Sequence, residues 1–155
     1  MRPNFTQLAN AYDRYQSMDT PALYKEIGWE DVIGKDAWNN TCAVRMSLAL
    51  LHCGVPIIGR FAIHSGPLKG KRIEPVQNKL SDQLIRLLGE PEVFDHAEAR
   101  KADYHALFGK TGIVSFMRIP DYVGGHIDVA DYSSDWLCRR HCYFDASSIR
   151  FWSLS

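Results

Sequence analysis

No stretch of the 155-residue chain approaches the roughly 18 consecutive apolar residues that span a bilayer, which excludes an integral membrane helix. Net charge is also missing. Lysine plus arginine is 18 and aspartate plus glutamate is 18, so there is no overall field to hold a phosphate backbone or an anionic bilayer. Nucleic acid and membrane surfaces are therefore poor partners. Internal repeats and low-complexity segments are absent, and four cysteines are too few for a disulfide scaffold. Gly59, Gly66 and Gly70 miss the Walker spacing and no Ser or Thr follows Lys71, so the basic Lys69 to Arg72 cluster reads as a solvated loop. Met1 to Tyr15 mixes polar and apolar positions where a secretory leader needs an uninterrupted apolar run, so no Sec leader is expected.

What is present describes an ordinary globular chain. Apolar residues make up 46% and charged residues 23%, enough for a core of normal size, and residues 1–155 are expected to form a single domain. Leu8, Ala11, Tyr12 and Tyr15 recur at spacings of three and four and predict a first helix over Thr6 to Ser17. Thr20 and Pro21 start a second helix, which stops at Gly28. Asn39, Asn40 and Thr41 supply cap chemistry to Cys42 to Cys53, a run apolar on almost every side and hence a buried, central helix. Gly59 to Pro75 reads as irregular loop, and further helices are predicted over Ser81 to Leu88 and His96 to Phe108. Thr111 to Met117, Gly125 to Ala130 and Cys142 to Trp152 carry strand composition. Helices first and strands last favour an α+β fold with an antiparallel sheet.

Cys42 opens the buried helix, where unpaired N–H groups and the positive dipole end favour a thiolate. A nucleophile belongs there, although a buried structural cysteine would look the same. Cys53, only about 20° round the same helix, occupies its inert C-terminal end. His126 follows Gly124 and Gly125 at a strand start, where it can act as general base titrating near neutral pH and where the glycines clear the backbone for a substrate. A cysteine at a helix start with a histidine on a later strand is the arrangement of papain-like thiol hydrolases. Cys138 and Cys142 bracket Arg139, Arg140 and His141. They read as a local disulfide in an oxidising space, as two free thiols on a helix, or, with His141 and His126, as zinc ligands in a non-enzymatic module.

Arg2-Pro3-Asn4-Phe5, the block Asn39 to Ser47 around Cys42, Gly54-Val55-Pro56-Ile57, Gly125-His126-Ile127 and the Cys138/Cys142 pair together resemble the fourth family of type VI secretion amidase effectors. The resemblance implies an NlpC/P60-type, papain-like α+β fold and an antibacterial enzyme without cofactor or metal. Such an enzyme cuts the peptidoglycan stem peptide between D-glutamate and meso-diaminopimelate in the target periplasm. It also implies delivery by the secretion apparatus without a signal peptide, and a cognate immunity protein as partner. Cys42 carries over as nucleophile and His126 as base, with a Cys138–Cys142 disulfide expected in the periplasm. The family's aspartate between the late cysteines is missing here, which leaves Asp135 as the first candidate for the third catalytic residue and His141 as the alternative. Asp128, two along from His126, shares its strand face and reads as too local to orient the ring. A related thiol enzyme acting on protein or acyl substrates is the competing reading.

Overall fold

The computed structural model describes residues 2–95, 106–133 and 137–155. Helices α1 (Phe5–Gln16), α2 (Thr20–Glu26) and α3 (Cys42–His52) come first. Asn4 Oδ1 accepts the Gln7 N–H at the start of α1, and Asp19 Oδ1 accepts the Ala22 N–H at the start of α2. Two short strands, β1 (Phe61–Ala62) and β2 (Arg72–Ile73), then pair antiparallel, so the segment expected to be irregular is pinned in the middle. Helix α4 (Gln77–Leu88) leads to β3 (Glu92–Asp95), β4 (Thr111–Met117), β5 (His126–Asp131), β6 (Leu137–Cys138) and β7 (Ser148–Ser153). The last five strands form one antiparallel sheet in the order β3-β7-β4-β5-β6.

Helix α3 is buried at every position from Cys42 to Leu51, as its all-round apolar composition requires. It packs between α1 and β5, and its core joins Ile113, Ile127, Val129 and Trp152 from one face of the sheet. Leu50 has no exposed surface, so Leu50→Ala should cost about 2–5 kcal/mol. The opposite face is covered as well, with Val114, Phe116, Ala130, Ile149 and Phe151 forming a second cluster beneath Tyr143 and Phe144. Side chains alternate along a strand, so neighbouring residues of β4 and β5 enter different cores.

Several elements depart from the sequence reading. Helix α4 begins at Gln77, four residues before the expected cap: Gln77, Leu80, Ser81, Leu84 and Leu88 make its buried stripe, and Ser81 Oγ accepts from Arg150 instead of capping. The last strand begins at Ser148 because Tyr143 and Phe144 pack against the far face of the sheet without joining a ladder. Strand β3, with β7 as its partner, was not anticipated. The helix expected over His96 to Phe108 falls mainly outside the described residues. Among the described residues no helix is long and apolar enough to cross a membrane.

Candidate active site

Cys42 is the first residue of α3 and only 5% exposed. The turn before it is held by Arg45, one turn into the helix and itself buried. Its guanidinium donates to Thr41 Oγ1 at 2.8 Å, to Met18 O at 2.7 Å and to Tyr15 O, tying the helix start to the end of α1. Ser47, two residues further on, donates to Glu74 O at 3.2 Å and fixes α3 against the segment leading into α4.

The start of β5 abuts this helix end. Cys42 Sγ lies 4.0 Å from Gly125 O, and His126 follows at the first position of the strand. Gly125 is required by packing: a Cβ there would lie 2.3 Å from both Gln77 Oε1 and Phe116 O. The space that the missing side chain leaves is taken by protein atoms, where the sequence reading had reserved it for substrate. Gly124 turns the chain at φ 98°, in the left-handed region.

The His126 ring stacks on Phe116 and meets Tyr143 edge-on. Its Nε2 lies 2.8 Å from Asp128 Oδ2, which leaves Nδ1 for the sulfur. Burial disfavours the imidazolium, but hydrogen bonds to Asp128 and to Cys42 outweigh it, and the ring is held up at about 9 instead of titrating near neutral pH.

Asp128 is the residue the sequence reading set aside. It has no exposed surface and receives, besides the ring, the N–H groups of Arg140 at 2.9 Å and His141 at 3.2 Å on Oδ2, and that of Val129 at 2.7 Å on Oδ1. Two residues apart on one strand face proves close enough, because these backbone donors hold the carboxylate against the ring. His141 is exposed, with its ring edge-on to Tyr143 at 4.5 Å, and meets the site through its backbone N–H. Asp135 lies outside the described residues. Cys138 and Cys142 are joined to each other in a disulfide, Cα atoms 5.4 Å apart, closing the loop that presents those two N–H groups. Their sulfurs also contact the Tyr132 hydroxyl.

The thiol opens into a small pocket of about 80 Å³, lined by Asn39, Asn40, Thr41, Cys42, Tyr122, His126, Arg140 and Tyr143. Asn40 bridges its walls: Oδ1 accepts the Cys42 N–H at 3.3 Å and Nδ2 donates to Gly125 O at 3.4 Å. The sequence reading had given Asn40 a cap role only. Its place directly before a helix-start cysteine was the available signal.

The architecture is thus an α+β domain with a thiol, an imidazole and a buried carboxylate gathered where a helix start meets a strand start. A family model described as type VI secretion system (T6SS), amidase effector protein 4, matches residues 38–152, well over half of the chain, and the chain belongs to that family of amidase effectors. The fold is similar to that of the type VI effector Tae4 from Enterobacter cloacae, at 22% identity and TM-score 0.77 over 100% of this chain and 98% of that one. It is equally similar to the Tae4–Tai4 effector–immunity complex from Salmonella Typhimurium, at 23% identity and TM-score 0.76 over 100% of both chains. No curated protein gives a significant match.

Proposed function

We propose that the chain is an antibacterial cysteine amidase that hydrolyses the D-glutamate to meso-diaminopimelate bond of the peptidoglycan stem peptide. The observation that carries this reading is the line of Cys42 and His126, which face a small pocket, with the buried Asp128 behind the ring, in a chain of the amidase effector family. Nδ1 of His126 takes the thiol proton, and the sulfur attacks the carbonyl carbon. The oxyanion is received by the Cys42 N–H, whose 3.3 Å bond to Asn40 gives way to a stronger charge-assisted one. The imidazolium then protonates the departing amine, leaving a thioester on Cys42. Water, deprotonated by His126, cleaves the thioester and restores the thiol. Asp128 holds the tautomer and supports the imidazolium.

Delivery by type VI secretion places the enzyme in the periplasm of a target cell, where the Cys138–Cys142 bridge persists. Solved Tae4 relatives are described in complexes with Tai4 immunity proteins, and a cognate immunity protein is the partner proposed here. The test is digestion of purified peptidoglycan followed by mass analysis. Wild type should release fragments with a new amine on diaminopimelate, and Cys42→Ala should release none. Intact sacculi after incubation with wild type would sink the reading.

A further inference from the structure

Asn40 and Gly125, which stand beside the thiol, also line a second and larger depression of about 530 Å³. Its charged lining groups are Arg118, Arg150 and Asp82. Arg150, on β7, is held from behind: one nitrogen, Nη1, donates to Asp82 Oδ1 at 2.8 Å and to Ser81 Oγ at 3.0 Å. Its Nε and Nη2 make no hydrogen bond among the described residues, so one edge of an oriented guanidinium is left for a ligand. Arg118 follows β4 in the left-handed region at φ 54°, which L residues rarely adopt, and its carbonyl accepts the Ser147 N–H at 3.1 Å. The backbone is anchored, while the guanidinium has no partner among the described residues.

Two guanidiniums against one carboxylate leave the depression, among the described residues, with one uncompensated positive charge, and planar forks of this kind match a carboxylate in bidentate fashion. Val76, Met117 and Val123 supply apolar wall for the aliphatic part of a ligand. Because the depression shares Asn40 with the thiol pocket and is lined by Gly125, whose carbonyl lies 4.0 Å from Cys42 Sγ, a carboxylate bound there belongs to a residue flanking the scissile bond. We propose that Arg118 and Arg150 form a carboxylate subsite that sets the register of the substrate peptide across Cys42, with Asp82 orienting Arg150. The choice of peptide rests on the amidase reading; the subsite itself rests on the charges and the cavity.

The test is calorimetric binding to the Cys42→Ala protein of the synthetic tetrapeptide L-Ala-γ-D-Glu-meso-diaminopimelyl-D-Ala. It is compared with three versions in which one carboxylate each is a carboxamide. One amidated version should bind about tenfold to a hundredfold more weakly than the acid, which also identifies the carboxylate concerned. Arg118→Met and Arg150→Met should weaken the acid peptide by a similar factor and leave the affinity of that amidated version unchanged. If melting shows Arg150→Met to be misfolded, Arg150→Lys and the loop variant Arg118→Met carry the comparison. Equal binding of all four peptides, undiminished discrimination in the arginine variants, or no binding of the acid peptide overturns the subsite. Discrimination by a protein that cleaves no peptidoglycan would keep the subsite and remove the amidase reading; cleavage without discrimination does the reverse.

Discussion

Helix α3 starts at one cysteine and is capped by another, and the two thiols meet opposite conditions. Cys42 sits at the N-terminal end, beside His126 and below an open pocket. Cys53 is the C-terminal cap, its N–H bonded to Ala49 O and Leu50 O at 3.1 Å, and burial pushes its thiol up. Its own depression, of about 480 Å³, is far larger than the pocket of about 80 Å³ that Cys42 lines, and is itself lined by Gln7, Asn10, Arg14 and His52. Neither the residue type nor a larger neighbouring cavity singles out Cys42. The separation comes from the surroundings: Cys42 heads the helix, at the positive end of its dipole, beside a histidine backed by a carboxylate, whereas Cys53 closes the opposite end.

The widest difference should appear on substitution. Cys42→Ala or Cys42→Ser should lower muropeptide release on the order of 10³-fold or more, whereas Cys53→Ser should keep it within about twofold, both read by chromatography of digests. Activity above a tenth of wild type in the Cys42 variants would erase the contrast. Next comes the carboxylate. Asp128→Asn should cost about 10² to 10⁴ in turnover, because one face of the amide now opposes N–H donors on Val129 or on Arg140 and His141. Asp135→Asn and His141→Ala should change turnover by no more than a few-fold. A large loss in either, with Asp128→Asn mild, would return the third role to the residues chosen from sequence.

Titration sharpens the same comparison. With His126 raised from 6.5 to about 9, the imidazolium needed by the departing amine persists through neutral pH, and turnover should fall as pH passes about 9. A folded-state value above the unfolded one means that protonation stabilises the fold. That contribution is complete below about 6.5 and is lost as pH rises through about 9. Melting temperature should therefore drop between pH 6 and pH 9.5, and less so in His126→Gln; an identical drop in the variant would contradict the assignment. Iodoacetamide at pH 7 should label Cys42 before Cys53, with the order lost in His126→Gln, as peptide mapping would show. The smallest effect concerns the late cysteines: Cys138→Ser with Cys142→Ser should cost about 2 kcal/mol on the chain-entropy estimate for so short a loop, measured by denaturant unfolding.

The start of α3 was legible because its cap residues, all-round apolar run and closing glycine are contiguous, and the same holds for β4 and β5. Strand β3 was not, since its partner β7 lies far along the chain and a short strand shows itself mainly through its ladder. Tyr143 and Phe144 looked like strand because aromatic composition reports a surface to pack on, here the far face of the sheet. Cys42 and His126 could be singled out as candidates from sequence since each sits at an element start. Asp128 was passed over on a distance argument that omitted the N–H groups of Arg140 and His141, which reach it only after the chain has folded back.

Placing the imidazole and its carboxylate on the single strand β5 has a corollary. The carboxylate keeps its register with the imidazole, whereas the Arg140 and His141 N–H groups that hold it arrive from beyond the connection after β5, so a change of length there would alter the support of the pair and not the spacing within it.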